Sequence, residues 1–127
     1  MIIIDSCGWI EFLVDGENAT AYEQYFQDTK GIATPTIVLY EVYKKVLRER
    51  GEESAVMVAA QMNSTRVIDL SESLSLLAAK LSIKHRLPMA DSIVYATAKT
   101  LECRVVTSDK HFVDLDDVLF IDPASDV

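Results

Sequence analysis

The chain has 127 residues, half of them hydrophobic, which is enough for one packed core and leaves little room for a second domain. Twelve basic residues against 20 acidic ones give a net charge of −8. That balance excludes a protein that grips nucleic acid through overall positive charge, so any such partner needs a local basic patch, metal ions or oligomerisation.

Residues Ile2 to Ile4 are β-branched and end on Asp5, which predicts a short buried strand. A brief helix is expected from Gly8 to Val14, broken at Asp15-Gly16, and a second from Glu17 to Asp28 with Tyr22, Tyr25 and Phe26 on its apolar side. Gly31 to Thr34 reads as a strand closed by Pro35, after which Thr36 should cap a long helix to about Arg50. Glu52 to Met62 forms the next helix and Thr65 to Ile68 the next strand. Ser71 caps a helix to about Arg86, and Pro88 starts another to about Glu102. Arg104 to Thr107 and Val118 to Ile121 are the last strands, and the tail after Asp122 is expected to be loose. Short apolar strands separated by helices predict a single α/β domain over residues 1–127, with a parallel sheet covered on both faces.

The apolar run at the N-terminus is too short for a signal peptide, and no stretch approaches the roughly twenty apolar residues of a membrane span. A cytoplasmic protein without membrane contact is therefore expected. Cys7 and Cys103 form neither a disulfide framework nor a metal-spaced cluster and read as reduced, buried side chains. His85 and His111 are too few and too scattered for a zinc site.

Acids carry the chemical signal. In parallel sheets, sites form at the C-terminal ends of strands, and two strands here run into an aspartate: Ile-Ile-Ile-Asp5 and Val-Val-Thr-Ser-Asp109. Asp5 alone also reads as a helix cap, and Asp109 as a turn residue. Asp114, Asp116 and Asp117 read as a solvated loop from which one acid could replace Asp109. Asp91 sits in a first helical turn, where the helix dipole favours it. Yet Val94, Tyr95 and Ala98 follow on its own face, so this carboxylate borders a buried stripe that offers it no cation. Glu41 falls opposite the apolar arc Leu39, Tyr40, Val42, Tyr43, Val46 and Leu47, on a stripe with Lys44, Lys45 and Arg48. There it reads either as a surface ion pair with Lys45 or as a metal ligand beside cations that attract phosphate. Carboxylates gathered together repel one another unless a divalent cation intervenes. Oxygen-only donors suit Mg²⁺ or Mn²⁺, and such a metal suits phosphodiester hydrolysis.

At these residues the chain resembles the PIN domain family. The matching segments are Ile-Ile-Asp5-Ser6, Glu41 on the third helix, Leu-Pro-Met-Ala-Asp91-Ser, and Val-Val-Thr107-Ser-Asp109-Lys-His-Phe112, and the order of strands and helices matches over nearly the whole chain. The resemblance implies a three-layer α/β/α sandwich with a mainly parallel sheet of four or five strands. It implies that Asp5, Glu41, Asp91 and Asp109 are catalytic metal ligands for Mg²⁺ or Mn²⁺, that Ser6 and Thr107 are supporting hydroxyls, and that the reaction is RNA hydrolysis. Stand-alone members of this size are similar to VapC-type toxins, which implies a homodimer silenced by a small antitoxin protein. Candidate RNA contacts are Lys44, Lys45, Arg48 and Lys110, with Arg50, Lys84, Arg86 and His111 as further cations, although each also reads as part of a solvated helix face or end.

The main alternative is a PIN scaffold that binds RNA or protein without cutting. Other acidic α/β sites fit worse. A haloacid-dehalogenase-like phosphatase needs Asp-x-Asp at the first strand, where this chain has Asp5-Ser6-Cys7. A phospho-receiver domain needs an acid pair there, and none accompanies Asp5, although Asp69 could pose as the phospho-accepting residue. A dinucleotide-binding fold needs a glycine-rich first turn, which is absent.

Overall fold

The β-branched runs pair side by side in a computed structural model that describes residues 1–123. In chain order the elements are β1 (Ile2–Ile4), α1 (Ser6–Val14), α2 (Ala19–Glu23), β2 (Ile32–Pro35), α3 (Thr36–Arg50), α4 (Glu52–Met62), β3 (Arg66–Ile68), α5 (Glu72–His85), α6 (Met89–Leu101), β4 (Arg104–Thr107) and β5 (Val118–Phe120). All strand pairs are parallel and the sheet order is β3-β2-β1-β4-β5. Parallel neighbours require crossover connections, and the helices supply them. The result is the expected three-layer α/β/α sandwich, with five strands flanked by six helices.

The three inner strands form the floor of the core. Ile3, Ile4, Ile32, Ala33, Val105 and Val106 are fully buried, and Val38, Val42, Tyr22, Val94, Tyr95 and Phe112 pack around them. Continuous apolar runs mark strands covered on both faces, which is why these were legible without alternation. The edge strands β3 and β5 are only partly buried and are three residues long.

The sheet order fixes where a site can form. From β1 the chain crosses to β2 on one side, whereas from β4 it proceeds to β5 on the other. Neighbouring strands whose outgoing connections diverge leave a crevice at their C-terminal ends. Here that crevice lies beyond Ile4 and Thr107.

Several boundaries differ from the sequence expectation. Helix α1 begins at Ser6 rather than Gly8, because the Asp5 side chain accepts from the Ser6 N–H and caps it. The helix expected from Glu17 to Asp28 is α2 alone, tightened into a 3₁₀ turn at Gln24–Phe26. Thr36 does not cap α3; Pro35 occupies the cap position, makes no side-chain cap bond, and belongs to β2. Ser71 does cap α5, accepting from the Leu74 N–H. The loose tail expected after Asp122 lies, beyond Pro123, outside the described residues.

Candidate functional site

Asp5 leaves β1 at the crevice and is buried. One carboxylate oxygen accepts from the Ser6 N–H at 2.8 Å, and the other accepts from the Thr107 hydroxyl at 2.8 Å. Thr107, at the end of the neighbouring strand β4, accepts in turn from the Asp109 N–H at 2.9 Å. One buried hydroxyl thus clasps the ends of two adjacent strands and sets the two aspartates in relation to each other. Burial pushes the Asp5 carboxyl above its ordinary range; the Thr107 and Ser6 bonds oppose that rise, and the charge of Asp109 adds to it.

Asp91, in the first turn of α6, and Asp109, at the start of the 3₁₀ turn Lys110–Phe112, form the second part of the cluster. Asp91 is pushed up to about 8 by burial, by its hydrogen bond to Asp109, and by the charges of Asp109, Asp5 and Glu41. Burial acts on Asp109 as well. The backbone N–H of His111, the bond from Asp91 and the His111 ring outweigh that burial and hold Asp109 below its ordinary value. Burial and the neighbouring carboxylates thus favour the protonated form of Asp91, whereas the surroundings of Asp109 favour its ionised form. As the sequence suggested, the face behind Asp91 is apolar, with Val94, Tyr95 and Ala98 all buried.

Glu41, in the second turn of α3, is not the surface partner of Lys45. Lys45 Nζ lies 3.1 Å from Glu49 instead. Glu41 is half-buried and bonds Ser6. Burial raises its pKa, with the charges of Asp5 and Asp109 adding to the rise and the Ser6 bond opposing it. All four predicted acids therefore sense one another, although they come from four separate elements. The alternative acids lie elsewhere: Asp117 pairs with Lys99 at 2.8 Å, and Asp114 and Asp116 line a different cleft with Leu77, Lys84 and His85.

Around the acids lie groups that sequence reasoning did not assign. His111 Nδ1 lies 2.8 Å from Asp109 and 3.2 Å from Asp91, so it is not the isolated histidine its sequence position suggested. Asp91, Asp109 and His111 each offer a ligand atom, and the three atoms lie within 4.8 Å of one another. The available signal was its spacing, two residues after Asp109. Cys7 packs its sulfur against Asp5, Thr107 and Tyr22. Burial and the charge of Asp5 push its thiol up, which favours the protonated thiol over the thiolate. Tyr22 bonds Ser108 beside it. Nothing in the spacing of Tyr22 linked that hydroxyl to residue 108.

The structure separates the candidate cations. Lys44, Lys45 and Arg48 line one cleft of about 300 Å³ with Ser6, Ile10, Tyr40 and Glu41. Lys110 is exposed directly after Asp109. Arg50 and Lys84 line other clefts, and Arg86 ends α5 in a left-handed conformation.

The PIN domain family matches residues 2–118, and the chain belongs to that family. Among solved structures, the fold is similar to a toxin–antitoxin complex from Klebsiella pneumoniae, with a TM-score of 0.80 at 18% identity over 94% of this chain and 96% of that one. It is similar to VapC20 from Mycobacterium tuberculosis, a sarcin–ricin loop cleaving toxin, with a TM-score of 0.78 at 18% identity over 93% and 97% of the two chains. It is also similar to FitAcB from Neisseria gonorrhoeae, with a TM-score of 0.72 at 18% identity over 95% and 97%. No curated protein sequence matches the chain. Among the described residues, no helix is long and apolar enough to cross a membrane.

Proposed function

We propose that this PIN domain is a metal-dependent ribonuclease, with Asp5, Glu41, Asp91 and Asp109 holding Mg²⁺ or Mn²⁺. The observation that carries the reading is the convergence of these carboxylates, three of which are pushed upward in pKa by burial and mutual repulsion. Such a cluster is costly without a cation. The donor chemistry fits a hard divalent ion: the Asp91 and Asp109 carboxylates and the His111 imidazole offer atoms within 4.8 Å of one another, and Asp5 and Glu41 are near enough for their charges to act on Asp91. When bound, the ion supplies a Lewis acid that acidifies water and offsets charge building on a phosphodiester.

The chain's own residues do the rest. Thr107 fixes the Asp5 carboxylate, and Ser6 orients both Asp5 and Glu41. Lys44, Lys45, Arg48 and Lys110 provide local positive charge for RNA phosphates on a molecule that is acidic overall. Hydrolysis forms a new P–O bond from water and breaks the bond to the leaving ribose oxygen, which takes up a proton. The likeness to a toxin–antitoxin complex and to a loop-cleaving toxin supports a further assignment, a VapC-type toxin restrained by an antitoxin protein; that it is a cytoplasmic homodimer rests on the family resemblance alone.

The test is cleavage of a structured RNA pool with Mg²⁺ or Mn²⁺ and with chelator. Wild-type protein should cut only with metal, and Asp91→Asn should lose at least about 100-fold in rate. In cells, induced expression should arrest growth, whereas Asp5→Asn should not. Metal-independent cutting or no cutting overturns the reading; the latter leaves a scaffold that binds RNA or protein. A neighbouring upstream gene for a DNA-binding antitoxin would support the toxin assignment.

A further inference from the structure

Tyr40 is the residue whose placement departs most from its sequence pattern. It belongs to the apolar arc of α3 by spacing, yet it is 58% exposed. Its neighbour on the chain is Glu41, and the two line the same cleft with Lys44 and Arg48. Lys44 Nζ lies 5.5 Å from the ring centroid, a cation–π contact. No hydrogen bond engages the Tyr40 hydroxyl among the described residues. An exposed tyrosine alone is ordinary. An exposed ring with a cation on it, one residue from an acid of the cluster, has the composition of a nucleotide subsite.

We propose that Tyr40 is a base-stacking platform that holds one unstacked nucleobase, with the adjoining phosphates on Lys44 and Arg48. The inference rests on the ribonuclease reading and names a nucleobase-binding residue of that site. Every nucleobase has a π face that an aromatic ring can hold, but in a duplex that face is already stacked and the base edges are paired. A cleft of about 300 Å³ has room for one splayed-out nucleoside. Flanking cations are what backbone tracking in single-strand binders requires. The same arrangement reconciles the net charge of −8 with an RNA substrate, because the attraction is confined to one groove and reinforced by uncharged stacking.

The experiment measures RNA cleavage by the wild type first, then binding in the Asp91→Asn background, so that the RNA stays intact. The probes are a fluorescein-labelled ten-nucleotide RNA and the same strand annealed to its complement, followed by anisotropy with Mg²⁺ present. Single strand should bind at least about tenfold more tightly than duplex, and adding Tyr40→Ala should weaken it about tenfold, whereas Tyr40→Phe should not. A 2-aminopurine in the strand should be quenched on binding, and Tyr40→Ala should abolish the quenching. Because the ring is exposed, the melting temperature of Tyr40→Ala should match that of its parent. If the wild type cleaves but Tyr40→Ala binds as tightly as its parent, or duplex binds as tightly as single strand, the platform is overturned and the ribonuclease reading stands. If the wild type neither cleaves nor binds RNA, both fall.

Discussion

At the scale of single residues, Asp5 caps α1 and at the same time borders the crevice where the other acids gather. One oxygen caps α1 and the other is clasped by Thr107, so the residue that starts a helix also faces the crevice. The sequence offered these as alternatives because a linear pattern cannot show that a carboxylate has two oxygens with different neighbours. Repulsion among the acids has a measurable consequence. Asp91 rises from 3.8 to about 8 on folding, chiefly through burial. A carboxyl whose pKa is higher in the folded state binds its proton more tightly there, so its stabilising contribution is complete below about 4 and is lost as pH rises towards 8. Asp109, which is lowered, acts in the opposite sense and only towards acid pH. Metal-free protein should therefore melt at a higher temperature at pH 5.5 than at pH 8.5. Asp91→Asn should flatten that difference and raise the melting temperature at pH 8.5 in chelator, while removing activity. If thermal melts of the two proteins change in parallel with pH, the cluster is not the source of the effect.

At the scale of elements, strands and caps were legible where local chemistry decides them. Ile2–Ile4 and Arg104–Thr107 fell where β-branched residues predicted, and Ser71 capped α5. What failed depended on packing at a distance. The apolar arc assigned to α3 was too wide for one helix face: Val38 and Val42 are buried, but Tyr40 and Leu47 lie outside. Helix α1 shows the tightest constraint. A Cβ on Gly8 would lie 2.5 Å from the Tyr22 ring and 2.7 Å from Ile4, both fully buried. Gly8→Ala should then cost about 1–3 kcal/mol, as overpacked cores do. Because Tyr22 bonds Ser108, the substitution should also disturb the strand end that carries Thr107 and Asp109. Chemical denaturation measures the cost, and an unchanged midpoint would show that α1 can lift away without penalty.

At the scale of the whole molecule, the fold explains why four scattered acids meet. The order β3-β2-β1-β4-β5 brings the start of the chain beside a strand that forms a hundred residues later, and the diverging connections leave the space between them open. Local pattern does not give that adjacency; the family resemblance implied only a mainly parallel sheet with the four acids in one site, and the strand order is seen in the sheet itself. Overall acidity sets a further expectation. If Lys44, Lys45, Arg48 and Lys110 take the phosphates as proposed, the affinity for RNA single strands should fall with a log–log salt slope of about −3, far shallower than for a basic RNA binder. Anisotropy titrations from 50 to 300 mM salt, roughly the range in which counterion release dominates, measure it. The pairing of β1 with β4 also has a consequence for synthesis. A ribosome reads out Asp5 early and Asp109 late, so a nascent chain carries its first acid for most of translation with no partner strand to complete the pocket. Under the ribonuclease reading proposed above, the carboxylate pocket is complete only once β4 has emerged and slotted beside β1.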